Sequence, residues 1–144
     1  MNDLVSRTKQ FSLRIIRLVQ SLPRSSVSSV IGKQLLRSGT SVGANYRAAC
    51  RAKSRADFIA KMNIVIEEAD ESLYWMELLC EAKIIPQDRL SDLMNETDQL
   101  ISIFTASVLT AREKMVKEPD QGTYETQSLD MQPTSVDTSE FLPD

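Results

Sequence analysis

The sequence predicts an all-α protein, an antiparallel up-down-up-down four-helix bundle with a disordered acidic C-terminal tail. Three observations predict it. Apolar residues recur at spacings of three and four, the signature of one helix face, through four successive segments. Four glycines and five prolines in 144 residues leave little turn chemistry, while the abundant Ala, Leu, Glu, Lys and Arg favour helix. No stretch alternates apolar and polar residues at useful length, so strands have no competing pattern. Short connections between long amphipathic helices imply antiparallel neighbours. The expected organisation is one bundle domain over 1–118 and a tail over 119–144.

The first helix is expected from about Asp3 to Leu22. Leu4, Phe11, Ile15, Leu18 and Leu22 line one face, Val5, Ile16 and Val19 widen it, and Pro23 ends it. The second restarts near Ser25–Ser29 and carries a stripe of Ile31, Leu35, Ser38, Val42, Tyr46 and Ala49. The third opens at Ser54, where Asp57 three residues on makes a capping-box-like start. Its core stripe is Phe58, Met62, Val65, Ile66, Ala69, Leu73, Met76 and Cys80, and it ends near Lys83. The fourth follows Pro86, with Leu90, Leu93, Thr97, Leu100, Ile101, Phe104, Val108, Ala111 and Met115 in a heptad-like repeat. Beyond Pro119 the periodicity stops. The segment 119–144 holds six acidic residues and no Lys or Arg, and its Ser, Thr, Gln and Pro read as disorder.

The stretch "RSGTSVGANYRAACRAKSR", Arg37 to Arg55, poses a choice between a phosphate-cradling loop and a helix. A P-loop requires G-x-x-x-x-G-K-[ST], and "GTSVGA" has neither the spacing nor the lysine. The apolar stripe also runs in phase through Gly39 and Gly43, so the stretch reads as helix. A glycine inside a helix costs about 1 kcal/mol against alanine, so this small-residue strip implies a close crossing by a neighbouring helix. On that helix, Lys33, Arg37, Arg47, Arg51 and Arg55 fall within an arc of about 80° and span about 33 Å. A cationic row of that length suits a run of phosphates. The competing reading is a solvated face, or a partner for acidic residues of the third helix or of a neighbouring subunit.

Net charge is −3, but residues 1–56 carry eleven Lys or Arg and one acid, Asp3, for a net +10. Residues 57–144 carry six basic and nineteen acidic residues, for a net −13. Such asymmetry marks a polyanion-binding face, an acidic tail, or two halves that attract each other. A second feature lies on the third helix. Trp75 sits about 120° from the centre of its core stripe, with Ile64 and Leu78 beside it on the wheel. A second apolar stripe points to a subunit interface, for which Trp75 is an apt anchor.

Catalytic chemistry has little to work with. There is no histidine, which removes the usual general base, the Ser–His and Cys–His pairs and the commonest metal ligand. "EEADE" at 67–71 lacks the Glu-x-x-His motifs of di-metal bundles and reads as a solvated acidic face. Neither an enzyme nor a cofactor is expected. Cys50 and Cys80 read as reduced, partly buried thiols. No apolar run is long enough to span a bilayer and no secretory signal is evident, so the expected location is cytoplasmic.

The run "QLLRSGTSVGANYRAACRAKSRADFIAKMNIVIEEADESLYWMELLCEAKII" resembles the bacterial four-helix bundle family first noticed as reading frames inside 23S rRNA intervening sequences. The resemblance rests on Gln34, Arg37, Ala44–Asn45, Arg51, Ser54, Phe58 and "EADESLYWMELL". It implies a small antiparallel bundle that assembles into a ring-like homopentamer. It also implies kinship with the accessory proteins of diversity-generating retroelements, which use a basic surface to engage a reverse transcriptase and nucleic acid. Many members read "NIAEG" where this chain has "NYRAA", and the acidic tail sets it apart from the basic accessory branch. The expected function is therefore a non-enzymatic, homo-oligomeric adaptor. Its cationic face, Lys33, Arg37, Arg47, Arg51 and Arg55, would contact nucleic acid or a nucleic-acid-processing protein, and Ile64, Trp75 and Leu78 would join subunits. The alternative is a pure protein–protein scaffold.

Overall fold

A computed structural model describes residues 3–117, and the tail expected over 119–144 lies outside the described residues. The chain forms an all-α four-helix bundle: α1 (Asp3–Gln20), α2 (Ser26–Ala49), α3 (Arg55–Glu81) and α4 (Gln87–Lys117). Serine caps set two of the starts. Ser25 Oγ accepts the Ser28 N–H at 3.0 Å and Ser54 Oγ accepts the Asp57 N–H at 3.0 Å, each satisfying an orphan donor of the first turn. Asp57 reaches back to accept the Lys53 N–H at 3.1 Å. Before α4, Lys83 takes the left-handed conformation (φ 60°) that usually calls for glycine, and the Ile84 N–H closes the end of α3 by donating to the Leu79 carbonyl at 3.0 Å.

The expected stripes meet in one core. Leu4, Phe11 and Ile15 of α1, Leu35, Val42 and Tyr46 of α2, Phe58, Met62, Val65 and Met76 of α3, and Leu90, Leu100 and Phe104 of α4 are buried. Tyr46 stacks on Phe104 with ring centroids 5.8 Å apart, tying α2 to α4 across the centre. On α3 the buried register is Phe58, Met62, Val65, Ala69, Ser72, Met76 and Leu79. The expected Ile66, Leu73 and Cys80 lie at its edge instead, because α3 packs with a strict alternation of fours and threes. Ser38 and Ser72, polar residues at stripe positions, face each other. The Ser72 hydroxyl donates to Ser38 Oγ at 2.9 Å, so both of these hydroxyls have a partner.

Gly39 and Gly43 form the close crossing of α1 over α2. A Cβ on Gly39 would lie 2.7 Å from both Cγ atoms of Ile15, and one on Gly43 would lie 3.3 Å from the Thr8 carbonyl oxygen. Ser12 Oγ donates across the crossing to the Gly39 carbonyl at 3.2 Å. The packing is not symmetric around the bundle. Neighbouring pairs α1–α2, α2–α3 and α3–α4 run together, whereas α1 and α4 touch at only a few points. There Arg7 reaches Glu96 with two hydrogen bonds of 2.8 Å and adds Gln99 at 3.0 Å.

Candidate anion-binding and subunit-contact surfaces

The cationic row does not lie on one helix. α2 ends at Ala49, and only Lys33, Arg37 and Arg47 belong to it. Arg51 is exposed in the connection, and Arg55 is the first residue of α3, where it is buried at 6% exposure. The expectation of one solvated five-residue row is therefore corrected. The physical reason is the Ser54 cap: once Ser54 holds the Asp57 N–H, the chain must leave the α2 axis before Arg55, and the wheel phase no longer carries over. The α2 portion, Lys33 to Arg47, spans about 21 Å.

Within that portion Arg37 is engaged. Its Nη1 donates to both Glu68 oxygens at 3.0 and 3.2 Å, and its Nη2 pairs with Glu71. The acidic third helix thus takes one cation of the row. The Trp75 indole N–H, 3.0 Å from Glu71 Oε2, and the Arg37 guanidinium together hold the Glu71 carboxyl below its usual range. Glu71 and Glu68 raise the pKa of Arg37 in turn. Because the folded pKa of Glu71 lies below its ordinary 4.5, pairing stabilises the fold above pH 4.5 and is lost as pH falls through the lower folded value. Melting temperature measured at pH 7 and pH 3 should therefore differ less in Glu71→Gln than in the parent chain. An equal difference would show that the pair adds nothing measurable, as many exposed pairs do.

Lys33 and Arg47 are exposed, and no carboxylate pairs with either among the described residues. Arg47 shares a cleft of about 150 Å³ with Lys9, Ser12 and Gly43, so the glycine that admits α1 also sets an α1 cation beside an α2 cation. Lys9 is not singled out by periodicity; the available signal is that residues 3–49 carry eight Lys or Arg against Asp3 alone. α3 and α4 carry twelve acidic and six basic residues.

The three interface residues stay on one side of α3, at i, i+11 and i+14, but not as a continuous apolar stripe. Ile64 is 44% exposed, Leu78 is half-buried, and Trp75 packs against the core edge with Tyr74 edge-on at 5.1 Å. Glu68 and Glu71 sit between Ile64 and Trp75, covered by Arg37. Cys50 and Cys80 form no disulfide, and burial pushes the Cys50 thiol up to about 11, so it is protonated and unreactive at neutral pH. Among the described residues no group of three His, Cys, Asp or Glu is placed to hold a metal. No described helix is long and apolar enough to cross a membrane.

These features define a four-helix bundle with one cationic and one acidic half. A family profile described as 23S rRNA-intervening sequence protein matches residues 2–106. The chain belongs to that family. A solved structure of a protein of unknown function from the S23 ribosomal protein family of Bacteroides thetaiotaomicron is 38% identical, with a TM-score of 0.69 over 72% of this chain and 96% of that one. Nothing among the curated proteins matches.

Proposed function

We propose that the protein is a non-enzymatic, homo-oligomeric adaptor whose α1–α2 face contacts nucleic acid or a nucleic-acid-processing protein. The observation that carries this reading is the separation of charge: eight cations against one acid over residues 3–49, with no carboxylate pairing with Lys33 or Arg47 among the described residues. Such a face attracts phosphates and releases their counterions. The proposed contacts are Lys33, Arg47 and Arg51. Arg37, held by Glu68 and Glu71, and Arg55, which is buried, are not among them. Ile64, Trp75 and Leu78 are the proposed subunit contact, and the family implies a pentamer. The twelve acidic residues of α3 and α4 favour one alternative, in which the two charged halves of neighbouring copies meet and no nucleic acid is held.

Light scattering coupled to size exclusion tests both readings. The adaptor should run as an oligomer and take up a short RNA at ~50 mM salt, releasing it near ~300 mM. Ile64→Asp should reduce the oligomer without changing helicity. An oligomer that ignores RNA but falls apart in salt would select the scaffold, and a monomer would overturn the subunit contact.

A further inference from the structure

A groove of about 300 Å³ lies between the C-terminal half of α1 and the first turns of α4. Arg14 and Arg17 line it from one side and Arg89 from the other, with Leu18 and Leu93 as apolar lining. The Ser21 hydroxyl at its edge is taken up by the Leu18 carbonyl at 2.7 Å. None of the three guanidinium groups forms an ion pair or hydrogen bond among the described residues.

That is unlike the other arginines that bridge helices. Arg7 meets Glu96, and Arg37 meets Glu68 and Glu71. Asp88 and Asp92 flank Arg89 in sequence, yet neither lines the groove, and Glu96 is occupied by Arg7. Three cations therefore line one groove with no carboxylate among its lining residues. A cluster differs from a row. A phosphodiester backbone spreads one charge per nucleotide and suits cations strung along a helix. A cluster suits a single group of concentrated negative charge, and the guanidinium fork matches phosphate oxygens two at a time. The volume sits at the small end of ligand pockets.

We propose that this groove binds a terminal phosphate or pyrophosphate group, carried by a small phosphorylated molecule or by a nucleic-acid end. Binding requires no covalent step, and the groove lies between α1 and α4 rather than between α1 and α2. The test is calorimetric titration of the full chain with sodium pyrophosphate at ~50 mM salt. Saturable binding is expected, weakened at least ~10-fold by Arg14→Gln with Arg89→Gln, since charge-assisted hydrogen bonds are lost. Arg112→Gln, a cation of α4 outside the groove, should leave the affinity unchanged. If the double variant loses helicity, Arg17→Gln alone should still weaken binding. No saturable binding, wild-type affinity in the groove variants, or equal weakening by Arg112→Gln would overturn the site. A 5′-phosphorylated dinucleotide preferred over its 5′-hydroxyl form assigns the phosphate to a nucleic-acid end. Pyrophosphate binding with neither dinucleotide held assigns it to a small molecule.

Discussion

Gly39→Leu should destabilise the bundle by about 3 kcal/mol, at the upper end for overpacking a tight contact. A single Cβ at Gly39 already falls 2.7 Å from both Cγ atoms of Ile15. Those atoms branch directly from the Ile15 Cβ and sit in the core, so they cannot swing aside as a flexible end would. The effect is amplified by how α1 is held. It packs most closely along α2, so forcing the crossing open disturbs the packing that buries Phe11 and Ile15. Gly39→Ala should be milder, about 1 kcal/mol, because the helix propensity gained by alanine offsets part of the clash. Urea unfolding measures both. Ile15→Ala combined with Gly39→Ala should cost less than the sum of the single changes, because the clashing atoms are gone. Additive costs would show that the crossing is not where the strain arises.

Lys33→Glu with Arg47→Glu should weaken binding of a short RNA by about 100-fold at ~50 mM salt and lower the slope of log K against log salt by about 2. Each position is exposed, and neither cation has a carboxylate partner among the described residues. Reversal would therefore remove the proposed phosphate contacts without stranding a buried charge. Melting temperature should stay close to the parent value, as expected for surface changes away from packed features. Arg37→Glu is the informative contrast. It sets a third carboxylate against Glu68 and Glu71, so it should lower stability as well as affinity. Affinity loss in the Lys33 and Arg47 variant with oligomer size unchanged separates nucleic-acid contact from subunit contact. The reverse outcome, intact RNA binding and a smaller oligomer, would favour the scaffold.

Much of the fold was legible from spacing alone. Residues such as Leu35, Val42, Tyr46, Phe58, Met62 and Phe104 are buried where the stripes place them, because a helix that must hide one face announces that face at a period of 3.6. The crossing at Gly39 and Gly43 was legible for the same reason: two glycines in phase with a helical stripe require close packing to offset their cost. The Ser54–Asp57 cap also marked the end of the shared helix axis, and extrapolating the wheel past it carried Arg55 onto a face where it does not lie.

By itself, then, the sequence determined the helices, most of their buried faces, the close crossing and the family. Each follows from rules that act within a turn or two of chain, where neighbours along the sequence are neighbours in space. The tertiary structure decided which charges are engaged and which stand open. Arg37 and Arg47 look alike on a wheel, yet one meets Glu68 and Glu71 and the other faces Lys9 across a cleft. Arg14, Arg17 and Arg89 lie more than seventy residues apart at the extremes and share a groove only because the bundle sets α1 beside α4. Those outcomes depend on the rotation and register of one helix against another. Interdigitated core packing sets both, and no single helix contains them.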